Sequence, residues 1–413
     1  MSSQVTKPKS ALTFIFITLV IDIMGFGLII PVIPNLIKSL SGGTIAEASS
    51  FASLLAFAYA GTQFVFAPIL GNLSDRYGRR PVLLASIAGF AIDYIVIAFA
   101  PNLAWFFLAR VIAGITGASI STAAAYIADI STPEDRAKNF GLIGAAFGLG
   151  FILGPALGGI LGEVGLKVPF FASAGLCTAN FIFGYFVLPE SLPPENRRPF
   201  DWKRANPLGN IMQVKAYPQL KRLFLVLFLI YLGSHAVQSN WSFFTIERFG
   251  WSERTIGLSL GLAGLLVGLT QGVLIRYINP RIGNEKSVYL GLAMYSIGMF
   301  LFSAAYESWQ MFAILIPYCL GGIAGPAAQA IIAGEVPSNQ QGEVQGLNTA
   351  LVSVSSIFGP LIMNNLFYFF TKKGAPIYFP GAPFFLAGIL FLVGALLIYR
   401  EFRKHNPKVK VKV

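Results

Sequence analysis

Residues 11 to 33 read Ala11-Leu-Thr-Phe-Ile-Phe-Ile-Thr-Leu-Val-Ile-Asp22-Ile-Met-Gly-Phe-Gly-Leu-Ile-Ile-Pro31-Val-Ile33. The run is almost wholly apolar, shows no alternation, and carries one carboxylate in its middle. About 20 apolar residues in a helix cross roughly 30 Å of hydrocarbon, so the stretch predicts a membrane-spanning helix. It is too long for a secretory h-region, and no clear small-residue cleavage site precedes the next run, so it reads as a retained helix. Outer-membrane strands would alternate apolar and polar over about ten residues, a pattern absent here.

Working outward, eleven more runs of spanning length lie near residues 49–70, 81–100, 103–128, 140–161, 168–188, 220–246, 255–277, 286–306, 309–333, 345–370 and 380–400. The composition agrees: of 413 residues, 55% are hydrophobic and 12% charged, roughly half the charge of a soluble domain. The expected fold is an all-α integral membrane protein of twelve transmembrane helices. The two cysteines, Cys177 and Cys319, fall inside apolar runs, which leaves no disulfide framework, and no metal site is expected.

A net charge of +12 raises the question of nucleic acid, and the distribution of Lys and Arg answers it. An even number of spans puts both termini on one side, where 23 of the 30 basic residues fall; six lie opposite, and Arg110 lies within a span. By the positive-inside rule both termini are cytoplasmic, and the basic pI needs no nucleic-acid partner. The tail 401–413 is read as attracted to anionic lipid, with a specific partner as the competing reading.

The polar stretch 189–219 divides the spans six and six, giving an N-terminal bundle at 1–188, a cytoplasmic linker, and a C-terminal bundle at 220–400. A short interfacial helix carrying Trp202 and Met212 is expected within the linker. The halves echo each other at an offset near 205 residues. Gly114-Ile-Thr-Gly117 answers Gly322-Ile-Ala-Gly325, Gly154-Pro155 answers Gly359-Pro360, and Pro133 answers Pro337. Six spans is an even number, so the pseudo-repeats are parallel, and a pathway is expected between them near the midplane.

Asp22 lies about 11 residues into its span, some 16 Å deep at 1.5 Å per residue. A carboxylate there is costly in hydrocarbon, faces the bundle interior, and is a functional candidate for taking and giving a proton; a hydrogen-bonded structural Asp is the competing reading. Asp93 in span 3 and Arg110 in span 4 fall at similar depth. A carboxylate that pairs with Arg110 in one conformation and not in another would bind protons in one state and release them in the other. A static ion pair is the alternative.

Three motifs carry a family resemblance. Gly71-Asn-Leu-Ser-Asp75-Arg76-Tyr-Gly78-Arg79-Arg80-Pro-Val-Leu-Leu stands between spans 2 and 3. Span 4 carries Arg110-x-x-x-Gly114-x-x-Gly117, and span 5 carries Gly150-x-x-x-Gly154-Pro155-x-x-Gly158-Gly159. Together they resemble the signatures of the major facilitator superfamily, the span 5 stretch being similar to its antiporter motif. Asp22 through Pro34, Asp93-Tyr94 and Arg248-Phe-Gly-Trp251 are most similar to the proton-coupled drug antiporters of the tetracycline efflux type. The resemblance implies two rocking six-helix bundles and an inner-membrane location. It also implies a cytoplasmic gate of Gly71, Asp75, Arg76, Gly78, Arg79, Arg80 and Asp129, with Asp75 against the start of span 11 and Arg79 reaching Asp129. The charges in the loop read otherwise as topology signals alone.

Tetracycline carriers of the family typically place a histidine in span 8 and an acidic residue in span 9, where this chain has Val267 and Tyr295. The candidate substrate groups are Tyr59, Gln63, His235, Gln238, Asn240, Trp241, Gln271, Gln329 and Asn348, a neutral polar and aromatic set suited to a bulky amphipathic ligand. Packing and interfacial anchoring compete for several of them.

The expected function is export of a small amphipathic compound in exchange for protons by a monomer that uses the proton gradient and no cofactor, since no GxxxxGK[ST] stretch is present. Export of an endogenous metabolite, siderophore or lipid is the alternative. A membrane enzyme would need a nucleophile and base or a metal cluster, which His235 and His405 do not make, and a sensor would usually carry a soluble domain.

Overall fold

The computed structural model describes residues 8–132, 134–202, 205–206, 217–337 and 340–405. Among them every regular element is helical. Met212, the Pro133 of the repeat comparison and the end of the basic tail lie outside the described residues.

The helices match the apolar runs. Span 1 is Pro8–Ile29, followed by a short helix Ile33–Ser41 whose proline falls in its first turn. Span 2 is Ile45–Tyr77, span 3 Arg79–Phe99, span 5 Arg136–Val164, span 6 Val168–Val187 and span 7 Lys221–Phe249. Span 4 consists of two pieces, Leu103–Thr116 and Ser119–Ile130, separated at Gly117-Ala118. Spans 8 and 9 lie within Glu253–Ala304 and are separated by a kink at Gly283. A π-helical turn occupies Thr270–Leu274, and Gly283, at φ 81° and ψ 163°, turns the chain between the two spans. Divided at that kink, the eleven long apolar stretches among the described residues give twelve helices or helix pairs of membrane-spanning length. Span 10 is broken like span 4, into Ser308–Leu320 and Ala324–Gly334 around a 3₁₀ turn at Gly321–Ile323. Span 11 is Gln341–Thr371 and span 12 is Ala382–His405.

The chain forms two compact units. The first holds residues 1–44, 54–207 and 251–261; the second holds 45–53, 208–250 and 262–413. Each half of the sequence thus lends one short segment to the other unit: the start of span 2 and the start of span 8.

The first unit packs Phe14, Ile15, Leu19 and Ile23 of span 1 with Leu83, Ile87, Tyr126, Ile127 and Ala146. Large lipophilic side chains such as Phe99, Val164 and Phe186 remain exposed, as expected of helices solvated by acyl chains rather than water. In the second unit the core is aromatic. Trp241 meets Phe302 and Phe384 edge-on at 5.1 and 6.2 Å, and Tyr295 stacks on Phe391 at 5.2 Å. The ends of spans 7 and 12 are tied by an ion pair between Arg222 and Glu401.

Candidate functional site

Three charged groups lie inside the first unit. Asp93 on span 3 is fully buried and forms an ion pair with the Arg110 guanidinium on span 4, which also rests over the Phe106 ring at 5.9 Å. Paired in this way, the two charges avoid the penalty of an isolated charge in a medium of low dielectric. Among the described residues Asp93 Oδ1 and Arg110 Nε have no hydrogen-bond partner. Asp22 on span 1 is 9% exposed, and neither of its carboxylate oxygens accepts a hydrogen bond among the described residues. Ser119, at the first position of the second piece of span 4, approaches it. A carboxylate buried at membrane depth persists only where it is paired, hydrogen-bonded or protonated, and Asp22 has Ser119 as its polar neighbour.

Span 5 reaches this region by close backbone packing. Gly150, Gly154 and Gly158 recur every four residues on one face, and a Cβ on each would fall 2.6 Å from Ile23 Cγ2, 2.8 Å from Met24 O and 2.1 Å from Leu28 O. The motif glycines therefore allow span 5 to lie against the backbone of span 1 just beyond Asp22. Gly159 and Pro155 extend the contact to the segment 251–261, where Glu253 O and Gly257 are their neighbours.

The loop between spans 2 and 3 is a charge network centred on Arg79. Its guanidinium holds Asp75 at 2.5 Å and Asp129 at 3.0 Å, and donates to Ser74 Oγ at 2.7 Å. Arg76 and Arg80 lie over Tyr77 and Tyr185, and Gly71 has open space around it. Sequence reasoning missed Glu190. This carboxylate accepts the backbone N–H groups of Arg79 and Arg80 at 2.8 and 3.2 Å and those of Ser191 and Leu192 at 3.0 Å each. It thus caps span 3 from outside the helix, where the N-terminal amides otherwise lack partners. Gly78 is glycine for the same reason: its φ is +111°, and a Cβ there would sit 2.2 Å from Glu190 Oε2. Ser191 Oγ donates to Asp129 at 3.0 Å, so the linker's first residues join the Arg79 network. The signal in the sequence was Pro189-Glu190-Ser191 directly after span 6. Glu190→Ala is expected to cost about 1 kcal/mol, the usual value of a lost cap on an exposed group, read as a lower thermal midpoint in detergent.

In the second unit, Tyr231 links two of the expected substrate groups. Its hydroxyl donates to Asn348 Oδ1 at 2.8 Å and accepts from Gln329 Nε2 at 3.3 Å. His235, one turn further along span 7, packs its ring on Gly359, where a Cβ would lie 2.2 Å from the imidazole. Gln238 is exposed, Asn240 donates to Asn364 at 3.3 Å, and Trp241 lies within the aromatic core already described. Trp241 and Asn240 thus lie in the second unit's interior, and Gln329, Asn348 and Tyr231 form one polar cluster. Toward the start of span 11, Tyr217 donates to Glu343 at 2.7 Å, and that carboxylate pushes the phenol above its ordinary pKa. In the first unit, Gln63 on span 2 donates to the Tyr59 hydroxyl at 3.1 Å and to Gly117 O at 2.9 Å. Gln271 on span 8 donates to Gly322 O at 3.3 Å.

The Major Facilitator Superfamily model matches residues 15–285 and 223–413. The chain belongs to this superfamily. It is 40% identical over 361 residues to the class C tetracycline resistance protein of Escherichia coli, covering 87% of this chain and 90% of that one. It is 37% identical over 389 residues to the class G protein of Vibrio anguillarum, covering 92% and 95%. The crystal structure of the human organic anion transporter MFSD10 aligns with a TM-score of 0.70 at 26% identity, over 95% of this chain and all of that one. The chain is accordingly a multi-pass membrane protein of a transporter superfamily, with the all-helical fold that its apolar runs predict.

Proposed function

We propose that this chain is a proton-coupled antiporter that expels a small amphipathic drug by alternating access. The observation that carries the reading is the buried Asp22 carboxylate in the same unit as the Asp93–Arg110 pair, inside a superfamily member whose relatives are tetracycline resistance proteins. Asp22, Asp93 and Arg110 handle the proton. The Arg79 network with Asp75 and Asp129 serves as the cytoplasmic gate, and Tyr59, Gln63, Gln271, Gln329, Asn348 and His235 face the substrate. The working unit is a monomer of two six-helix halves in the inner membrane, with both termini cytoplasmic, anionic lipid along its basic face, and neither cofactor nor enzymatic activity. The proton gradient supplies the energy.

Reconstituted vesicles with an imposed pH gradient test the reading. Tetracycline is the first probe because of the relatives' names, and a panel of amphipathic cations and neutral drugs follows because Val267 and Tyr295 replace the ionisable groups of tetracycline carriers. Gradient-driven accumulation abolished by an uncoupler is expected for at least one compound. Accumulation indifferent to the uncoupler, or none across the panel, overturns the proposal.

A further inference from the structure

The irregular turns within spans 4 and 10 differ in backbone but share one contact, a glutamine amide from another span on a glycine carbonyl. In span 4 the ladder stops at Gly117, at φ −73° and ψ 63°, and the carbonyl of that residue is taken by the Gln63 amide of span 2. In span 10 the 3₁₀ turn Gly321–Ile323 interrupts the helix, and the Gly322 carbonyl is taken by the Gln271 amide of span 8. The two glutamines are offset by 208 positions, as are Gly114 and Gly322 in the internal repeat, so the carbonyl taken in span 10 lies three residues earlier in the repeat than that of Gly117. Interrupted membrane helices need their freed backbone groups satisfied, and here a glutamine from the neighbouring span does this in each unit. The contact in the first unit is tight, because Gly117 would place a Cβ 2.9 Å from Gln63 Nε2 and Gly114 a Cβ 1.8 Å from Thr62 Oγ1.

What differs between the units is what the break carries. In the first unit Arg110, paired with Asp93, precedes Gly117 by seven residues, about 10 Å of helix, and Ser119, which approaches Asp22, follows it by two. The titratable and charged groups around this break are Asp22, Asp93, Arg110, Tyr59, Tyr94 and Cys177. In span 10 no charged residue lies between Ser308 and Gly334. Gln63 also holds the Tyr59 hydroxyl, so one amide joins a group facing substrate to the backbone between the two proton-handling contacts.

We propose that Gln63 is the positioning residue that makes proton binding and substrate binding exclude each other. The inference rests on the antiporter reading. With Gln63 on Gly117, Arg110 stays on a deprotonated Asp93, and the Tyr59–Gln63 pair stands ordered to receive substrate. A proton arriving on Asp93 neutralises the carboxylate and releases Arg110. Span 4 then shifts at its break, Gly117 leaves Gln63, and the Tyr59–Gln63 pair loses the arrangement that receives substrate. Gln271 supports its break in the same way but is linked to no proton group.

The test is Gln63→Met, close in length and volume but without a donor, against Gln271→Met, both in vesicles loaded with a pH-sensitive dye. Without any drug, Gln63→Met is expected to let protons cross about tenfold faster than wild type, the factor corresponding to loss of one buried hydrogen bond. Binding of tetracycline, or of the best compound from the panel, should lose its dependence on pH. Gln271→Met should slow transport without a proton leak. Gln63→Glu, folded through the same spans, should leak at high pH and recover at low pH, where the protonated acid again donates to Gly117. A Gln63→Met protein as tightly coupled as wild type, or an equal leak in Gln271→Met, overturns the inference while leaving the antiporter reading intact. A wild type that moves no compound with protons removes that reading itself.

Discussion

Asp22→Asn is expected to abolish gradient-driven transport, down to the level of protein-free vesicles, while the protein still exchanges labelled for unlabelled substrate when no gradient is imposed. The split follows from the site. The asparagine fills the same volume and keeps a polar atom toward Ser119, so folding and substrate contacts persist. It cannot carry a proton, so the cycle loses the step that draws on the gradient. Among the described residues no Lys or Arg forms an ion pair with Asp22, whose polar neighbour is Ser119, and removing its charge therefore breaks no ion pair. Arg110→Ala differs, because it leaves the fully buried Asp93 without its cation; an uncompensated buried charge costs about 3 to 5 kcal/mol. That variant is expected to fold poorly at neutral pH. The two substitutions separate the loss of one proton-carrying carboxylate from the loss of the cation that balances Asp93 until a proton arrives there. Gradient-driven accumulation retained in Asp22→Asn would remove Asp22 from the coupling site, and Arg110→Ala with an unchanged thermal midpoint would show that the pair is not a structural element.

The spans were legible because twenty apolar residues without alternation have one stable answer in a bilayer. Asp93 and Arg110 were legible as partners because depth along a helix is a matter of counting residues. Other features depend on tertiary neighbours that no local pattern encodes. The break at Gly117 looks in sequence like any small-residue helix segment; what makes it a break is the Gln63 amide waiting 54 positions earlier in the chain. Glu190 sits in a polar linker whose composition says only loop, and its role emerges from four backbone amides that converge on it. Trp241 reads as a cavity-lining aromatic because a helix that is apolar all round does not reveal its faces. Its contacts with Phe302 and Phe384, invisible in the sequence, set it among the aromatic groups of the second unit. Tyr231 was overlooked for the same reason, although it lies one turn before His235 on span 7.

Gly158→Val is expected to be the most destabilising single change in span 5, by about 3 kcal/mol or more. A Cβ at this position would lie 2.1 Å from Leu28 O and 2.7 Å from Leu28 Cα. Both obstacles are backbone, so no rotamer change relieves the overlap; span 1 must move away from span 5 as a body. Moving span 1 also shifts Asp22, less than two helical turns from Leu28, so the loss of stability should be accompanied by loss of coupling. Gly144→Ala is the control on the same helix. Nothing lies within 4 Å of its Cβ position, and alanine is about 1 kcal/mol better than glycine in a helix interior, so that variant should unfold at or slightly above the wild-type midpoint. Thermal unfolding in detergent reads both. Equal midpoints for the two variants would mean that spans 1 and 5 do not pack at the backbone separation described, and the role assigned to the glycine stripe would fall with it.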